Sequence, residues 1–479
     1  MDEFRAERDS MGEMRVPASA YYGASTARAV ENFPISGQRL PRRMIEALAR
    51  IKSAAARVNS DFGLLSPNRS SAIIQAADEV AAGKLDEHFP VDIFQTGSGT
   101  SSNMNANEVI ASRANEILGE ILGDRRNQNS PHHIHPNDHV NLQQSSNDVF
   151  PTAMQLAASI AITDLLVPAL SHLEQRLQAK ANQFDEIVKL GRTHLQDATP
   201  VRVGQVIGGW AQQVRNGVER ALRAQFILCE VPLGGTAVGT GINSHPEFAP
   251  RVVRLLAQRS GLDLRIAPNH FEAQSAKDTI VDASGKLRTV AVSLMTVANN
   301  LRFLASGPHG GIGELILPAT QPGSSIMPGK VNPVMCEMLM QVAARVIGAD
   351  ATIAACAAHG SQFELSVMMP VMASELLTAI ELLSSGARVF ADRAVAGLEV
   401  DRARCRELVE RSPALCTALA PVIGYDAAAT LAKDAAATGK TIRQLATDRQ
   451  ILPPDQLETL LDPLRMTSPH EDMIGPGGG

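Results

Sequence analysis

The chain has 479 residues, of which 44% are hydrophobic and only 4% aromatic. This composition, rich in Ala, Leu and Val, favours a helical protein over a β-sandwich or barrel. With 44 Lys and Arg residues against 50 Asp and Glu residues, the formal net charge is −6, which argues against a dedicated nucleic-acid-binding protein.

Apolar residues and cysteines are distributed as in a cytoplasmic protein. The charged first residues, MDEFRAERDS, lack the apolar core of a signal peptide. No uninterrupted apolar run reaches the roughly 18 residues of a membrane-spanning helix, so no membrane segment is expected. The five cysteines are scattered without a C-x-x-C pair, which favours reduced thiols over disulfides or a zinc site.

Residues 1–144 are predicted to form a mixed domain of shorter helices and polar loops. One loop, QTGSGTSSNMNAN at 95–107, is dense in small hydrogen-bond donors. Gly97 and Gly99 permit the tight backbone of an anion-binding loop, and a helix that begins near Ser101 would direct its positive end at the loop. The alternative is an ordinary Ser/Gly turn that caps a helix.

Histidines cluster in PHHIHPNDHV, at 131–140. A metal site is not expected, because Pro136 should break the helix that would place His135 and His139 on one face, and no Cys accompanies them. We predict instead a polar loop in which His135, Asn137 and Asp138 are available to an anion.

Residues 145–401 are predicted to form a domain of long antiparallel helices. In 275–306 apolar residues recur at steps of three and four, which indicates one helix on the order of 45 Å long, buried on more than one side. Similar patterns cover 151–181, with an expected kink at Pro168, as well as 201–229, 333–358 and 371–391. Such helices cannot cover one another within one chain, so we expect several chains to share the bundle; a large bundle within one chain is the alternative.

The last domain, 402–479, is predicted to contain short helices separated by prolines, with a disordered GPGGG end. Two further Gly-rich loops interrupt the long helices, at 231–243 and 321–333. Neither matches a P-loop or a dinucleotide-binding fingerprint. In the second loop, Asn332 is expected to be the N-cap and Pro333 the first residue of a helix, so that Lys330 and the positive helix end would suit a carboxylate. A solvated surface turn is the alternative.

His194 is the best candidate for proton transfer. It lies in GRTHLQDATP, which we interpret as the head of a segment leading into a helix, and an unperturbed His titrates near neutrality. Glu337 could orient it as a carboxylate partner, although spacing alone cannot show that the two meet. A packed or surface histidine is the alternative.

Several of these segments together resemble the class II fumarases of the fumarase/aspartase superfamily. The resemblance rests on YYGASTARAVENFPISG (21–37), FQTGSGTSSNMNANEVIA (94–111), HPND (135–138), QSSNDVFPTAM (144–154), GRTHLQDATPV (191–201), VPLGGTAVGTGIN (231–243) and GSSIMPGKVNP (323–333). Ser98, Thr199 and Gly329 resemble fumarases rather than aspartases.

The resemblance implies a mainly α, three-domain fumarase/aspartase-type fold with a central bundle of long helices. It further implies a homotetramer whose active sites are shared by three subunits, and reversible hydration of fumarate to (S)-malate in the tricarboxylic acid cycle without a cofactor or metal. The nearest rival is an aspartate ammonia-lyase, and a rival from another class is a non-catalytic structural member of the superfamily.

The resemblance also implies roles for individual residues. Ser324 would be the base, assisted by His194 and Glu337. The substrate-binding residues would be Ser98, Gly99, Thr100, Ser145, Ser146, Asn147, Thr193, Ser325, Lys330, Val331 and Asn332. A second dicarboxylate site would comprise His135, Pro136, Asn137 and Asp138, although His132 and His139 depart from the family's pattern and leave its occupancy open.

Overall fold

The computed structural model describes residues 3–122, 132–471 and 474. The residues 475–479, predicted to be disordered, lie outside the described part. The helices are α1 (Ala24–Asn32), α2 (Arg42–Asp61), α3 (Pro67–Ala81), α4 (Thr100–Leu122), α5 (Ser146–Ala161), α6 (Val167–Gln183), α7 (Val203–Leu228), α8 (Phe248–Ser260), α9 (His270–Ser275), α10 (Asp278–Leu304), α11 (Val334–Gly360), α12 (Met369–Phe390), α13 (Arg402–Arg411), α14 (Ala420–Ile423), α15 (Tyr425–Thr438), α16 (Ile442–Asp448) and α17 (Pro454–Leu460).

The strands of the described residues are short and pair only two at a time. Antiparallel pairs are β1 (Phe4–Asp9) with β2 (Gly12–Pro17), β3 (Val188–Thr193) with β4 (Gln196–Arg202), β7 (Leu315–Ile316) with β10 (Glu399–Val400), and β8 (Ser361–Gln362) with β9 (Leu365–Ser366). The pair β5 (Glu230–Val231) and β6 (Arg265–Ile266) is parallel. The prediction of a mainly α protein is therefore confirmed.

The long helices predicted from apolar periodicity are all present. In α10 the predicted stripe is buried, with Leu287, Leu294 and Leu301 each no more than 1% exposed. The expectation that α10 is covered on more than one side is not met within one chain, because Val292 and Phe303 on its other faces are 47% and 43% exposed.

Pro168 coincides with an irregularity in the predicted helix 151–181. A π-helical turn, Ile162–Leu166, separates α5 from α6, and Pro168 is the second residue of α6. Proline has no N–H to donate to the preceding turn, and π-helical turns are a usual way for a helix to absorb such a loss.

The chain divides into two compact, discontinuous units. The first comprises Met1–Pro168, Glu219–Ala291 and Ala343–Ser384; the second comprises Ala169–Val218, Val292–Val342 and Ser385–Gly479. In the second unit, Leu190 of β3 packs into a buried cluster formed by the C-terminal helices. The predicted domain boundaries at 144/145 and 401/402 stay predictions.

Two helical stretches are long and apolar enough to cross a membrane, Ser146–Gln183 and Val334–Gly360. Core helices of soluble proteins have the same length and apolar composition. In the most apolar window of the first stretch 67% of the residues are buried, and in that of the second stretch 39% are buried. Both stretches contain segments of the helices predicted for the bundle, so they are weak evidence for a membrane protein.

Candidate active site

Three predicted substrate-binding hydroxyls converge in the first unit. Thr100 Oγ1 is hydrogen-bonded to Ser98 Oγ and to Ser146 Oγ, at 2.7 Å in each case. Thr100 is the first residue of α4, as the predicted helix start near Ser101 anticipated, and Ser146 is the first residue of α5. The positive ends of two helices therefore meet at one cluster of hydroxyls, an arrangement suited to an anion.

The glycines of this loop are required by close backbone approaches. A Cβ on Gly97 would lie 1.6 Å from the carbonyl oxygen of Val367, and a Cβ on Gly99 would lie 2.2 Å from the ring of Phe150. Gly99 also has a φ of +75°. Because larger residues cannot adopt these positions without displacing backbone or a buried ring, the loop that presents Ser98 and Thr100 is tightly determined.

Ser145 and Asn147 already have partners in the chain. Ser145 is the N-cap of α5: its Oγ accepts the N–H of Asn147 at 3.2 Å, and the Asp148 carboxylate accepts the Ser145 N–H at 3.0 Å. The Asn147 side-chain amide donates to the carbonyl of Ala237, in the loop 231–243, at 2.7 Å. The structure therefore brings the loop 231–243 to the start of α5.

The second unit holds the loop that carries Ser324. Ser324 is half-buried, and its Oγ accepts the backbone N–H groups of Ile326 and Met327 at 3.2 and 3.1 Å. The loop is closed at its base, where Gly323 N–H donates to the Lys330 carbonyl at 2.8 Å and the Asn332 amide donates to the Gly323 carbonyl at 2.7 Å. Two donors aimed at one serine oxygen stabilise negative charge on it.

The predicted cap of the following helix was wrong by one residue. Helix α11 begins at Val334, and the Pro333 carbonyl accepts the N–H of Glu337, so Pro333 occupies the cap position. The Asn332 side chain is engaged with Gly323 instead. Ser325, Lys330 and Val331 are exposed on the same loop, close to the positive end of α11.

His194 lies in a β-hairpin that the sequence did not predict, although this segment leads into a helix, α7, as expected. It follows Thr193 at the end of β3, and with Leu195 it forms the turn into β4. Both turn residues are left-handed, with φ of 56° and 62°, as a two-residue hairpin turn requires. Neither is Gly or Asn, so the turn is strained by about 1 kcal/mol or more per residue. Thr193, His194 and Leu195 are exposed in the single chain.

A buried carboxylate anchors this hairpin. Glu314, with 0% exposure of its side chain, pairs with Lys189 at 3.0 Å and with Arg192 at 2.8 Å, and both partners belong to β3. Burial lowers the pKa of Lys189, and the Glu314 carboxylate opposes that shift. Because Arg192 stands two residues before His194, this ion pair determines where the hairpin tip lies.

Glu314→Gln is expected to lower the free energy of unfolding by about 3 kcal/mol, since it leaves the buried Lys189 and the partly buried Arg192 without their counter-charge. Urea denaturation followed by circular dichroism measures this change. The control is Glu407→Gln, which removes an exposed carboxylate 3.0 Å from Arg404 and should leave the midpoint near that of the wild type. Equal midpoints for the two variants would contradict the anchoring role of Glu314.

The predicted pairing of His194 with Glu337 does not occur within one chain. Glu337 lies in the first turn of α11, half-buried, and among the described residues the structure has no hydrogen bond or ion pair between it and His194. The catalytic assignments of Ser324, His194 and Glu337 therefore stay predictions.

Comparison with known proteins decides the family. A family model described as Lyase matches residues 12–348, and one described as Fumarase C C-terminus matches residues 415–468. A class II fumarate hydratase from Halobacterium salinarum is 52% identical over 466 residues, with 97% of each chain covered. A second, from Mycobacterium tuberculosis, is 50% identical over 98% of this chain and 97% of the relative. The chain belongs to the class II fumarate hydratase family.

Solved structures agree with this membership. The class II fumarase from Schistosoma mansoni has a TM-score of 0.93 and 39% identity, covering 98% of this chain and 100% of that one. A fumarate lyase:delta crystallin from Brucella melitensis has a TM-score of 0.92 and 44% identity, covering 98% of this chain and 100% of that one. The predicted fold is confirmed, and so is the predicted activity of a fumarate hydratase, which is a hydro-lyase. The two alternatives, an aspartate ammonia-lyase and a non-catalytic structural protein, are not favoured.

The segment predicted to form a second dicarboxylate site forms a tight π-helical turn, Pro136–Val140. His135 Nδ1 accepts the N–H groups of Asn137 and Asp138 at 3.2 Å, and His139 Nδ1 accepts the His135 N–H at 2.8 Å. His135 precedes this turn in an extended conformation and Pro136 is its first residue, so the two histidines do not belong to one helix, as the proline predicted. That this segment binds a dicarboxylate stays a prediction.

Two buried residues outside the predicted set lie beside the candidate site. Asp148 is buried and joins the N-terminus of α5 to the loop 231–243, accepting the N–H groups of Gly234 and Thr236 at 2.9 and 3.1 Å. The spacing of Ser145 and Asp148 is that of a capping box and could have indicated this role. Lys52 is fully buried in α2. Its position in the segment ARIKSAAARV, between the apolar residues Ile51 and Ala54–Ala56, could have indicated that it is buried.

Proposed function

We propose that this fumarase-family chain catalyses the reversible addition of water to fumarate to give (S)-malate, as part of the tricarboxylic acid cycle in the cytoplasm. The observation that carries the mechanism is the pair of backbone donors at Ser324 Oγ, in the loop that also presents Lys330. The proposed chemistry uses protein side chains and backbone groups alone.

The difficult step is removal of a weakly acidic proton from the carbon next to a carboxylate. In the direction of malate dehydration, Ser324 takes this proton as an alkoxide-like base, and its negative charge beforehand is stabilised by the N–H groups of Ile326 and Met327. The electron pair left on carbon is delocalised into the neighbouring carboxylate. Lys330 and Asn332 stabilise the added negative charge there. His194 then donates a proton to the departing hydroxyl group, which leaves as water.

The hydroxyl cluster of the first unit would hold the substrate. Both substrate carboxylates must keep their positions while negative charge builds up on one of them. Ser98, Thr100 and Ser146 are suited to hold a carboxylate, because their hydroxyls meet where two helix N-termini converge. Ser145, Asn147, Thr193, Ser325 and Val331 complete the proposed binding set.

A homotetramer with each site shared by three chains would complete this arrangement. The single chain leaves apolar side chains of α7 and α10 open: Leu222, Phe226, Val292 and Phe303 are 43–55% exposed. These exposed faces and the shallow burial of the apolar Val334–Gly360 stretch fit a bundle that is covered by neighbouring chains. His194 and Glu337, unpaired with each other in one chain, would then meet across chains.

The purified protein is expected to convert (S)-malate to fumarate, and to leave L-aspartate unchanged. Fumarate absorbance measures both reactions in the same buffer. Both C4 acids would place a carboxylate in the same site, so aspartate also serves as the matched control for non-specific absorbance changes. Release of fumarate from aspartate alone would overturn the proposal in favour of ammonia elimination.

Mixing two inactive variants tests whether the sites are shared. We expect a mass four times that of one chain by light scattering, and Ser324→Ala and His194→Asn each to be nearly inactive. Co-refolding the two in equal amounts should restore about a quarter of the sites if Ser324 and His194 of one site come from different chains. Recovery of no activity, with the tetramer intact, would mean that both residues come from one chain.

A further inference from the structure

Lys52 is a buried cation with no role in the mechanism above. It lies in the middle of α2, its residue is 0% exposed, and its ammonium donates to Asn141 Oδ1 at 2.7 Å and to Gln144 Oε1 at 3.0 Å. Burial lowers the pKa of Lys52 to about 7, and the nearby Asp148 carboxylate opposes that shift. A buried lysine is costly to fold around, so an apolar residue would serve packing better.

Both acceptors belong to the short turn that precedes Ser145. Within it Gln143 has a φ of +65°, a left-handed conformation unusual for a residue other than Gly. The Asn141 amide also donates to the Gln144 carbonyl at 3.1 Å, inside the same turn. Lys52 therefore holds together a strained turn that leads directly into the N-terminus of α5.

The same lysine is linked to the other helix of the hydroxyl cluster. The Asn103 amide, one turn into α4, donates to Asn141 Oδ1 at 3.3 Å, so Asn141 Oδ1 receives bonds from both Lys52 and Asn103. The first residues of the two helices, Thr100 and Ser146, are joined at 2.7 Å. The hydrogen bonds among Lys52, Asn141 and Asn103 thus connect the N-terminal segments of the two helices at which the hydroxyls converge.

We infer that Lys52 is a positioning residue for substrate binding. Through its contacts with Asn141 and Gln144, Lys52 holds the N-termini of α4 and α5 at a defined distance from each other. That distance determines the spacing of the hydroxyls that receive a substrate carboxylate, those of Ser98, Thr100 and Ser146. This inference rests on the proposed function, since it assigns a role within the same site. The hydroxyls contact the carboxylate in the ground state and in the transition state alike, so Lys52 acts on binding more than on the chemical step.

The test compares Lys52→Met with Lys180→Met. Methionine keeps an unbranched apolar side chain that is one atom shorter than that of lysine, and it removes the charge and the donors. Lys180 is the matched control, because it is also buried in a helix, at 9% exposure, but donates to the Leu398 carbonyl, which belongs to no predicted site segment. For Lys52→Met we expect KM for malate and for fumarate to rise about tenfold, with kcat within about threefold of the wild type.

The dissociation constant of succinate, measured by calorimetry, should rise by the same factor as KM in Lys52→Met. Lys180→Met should keep both constants while its melting temperature falls. Unchanged KM and succinate binding in a folded Lys52→Met protein would overturn the inference, and so would an equal change of KM in the control.

A second variant covers the case in which Lys52→Met does not fold. Asn141→Leu removes the same contact by replacing the acceptor of Lys52, which lies in a half-buried turn, and we expect it to raise KM in the same way. Where Lys52→Met does fold, the double variant should show less than the sum of the two effects, because both substitutions remove the same contact. No malate turnover in the wild type would refute the proposed function itself, whereas normal turnover with an unaltered KM in Asn141→Leu would refute only the role of Lys52.

Discussion

Ser324→Ala is expected to lower kcat for (S)-malate by roughly 10² or more, the scale of one acid–base group. The methyl group cannot accept a proton, and the two N–H groups that converge on Ser324 Oγ lose their acceptor. KM should change much less, because the proposed binding hydroxyls and Lys330 remain. Steady-state kinetics in both directions of the reaction measure the effect.

Ser260→Ala is the matched control for this change. Ser260 is another half-buried serine, and its hydroxyl is bonded within α8, to the Leu256 carbonyl at 2.7 Å. Its replacement should leave kcat near that of the wild type. Full turnover by the Ser324→Ala protein would remove Ser324 from the role of base, whatever the control shows.

Lys330→Ala is expected to lower kcat/KM by roughly 10²–10³, the scale of a lost electrostatic donor to an oxyanion. Thr100→Ala should cost less, because a neutral hydroxyl binds the carboxylates without opposing the extra charge of the intermediate. The ratio of the losses in kcat/KM of the Lys330→Ala and Thr100→Ala proteins therefore shows which side chain lies nearer to the carboxylate that gains negative charge.

The control for Lys330 is Lys440→Ala, which removes an exposed ammonium paired with Asp448 at 2.7 Å. It keeps the change in net charge the same while leaving the Ser324 loop intact, and it should not alter kcat/KM. A larger loss in Thr100→Ala than in Lys330→Ala would contradict the assignment of Lys330 as the main group that stabilises the intermediate.

The long helices could be predicted because their signal is local. Apolar residues three and four positions apart in α10 share one face whatever the rest of the chain does, and that face is buried in the structure. The same reasoning located the start of α4, where Gly99 precedes a run of small polar residues. It placed the cap before α11 one residue too early, because the Asn332 side chain bonds Gly323, nine residues away, rather than the helix.

The hairpin that carries His194 had no comparable local signal. Its turn lacks the Asn-Gly or Asp-Gly pair that usually marks a two-residue hairpin, and its strands alternate poorly between buried and exposed residues. What stabilises it is the buried Glu314, more than a hundred residues away, together with the C-terminal helices packed around Leu190.

The sequence by itself determined the long helices of this protein, its family and the candidate polar residues of its site, since apolar periodicity and motif order are properties of neighbouring positions. Only the tertiary structure decided that Thr100 and Ser146 meet, and that a buried lysine lies beneath the hydroxyl cluster. The physical reason is that such contacts join segments distant along the chain. Their geometry depends on burial and packing, which no short window of residues contains.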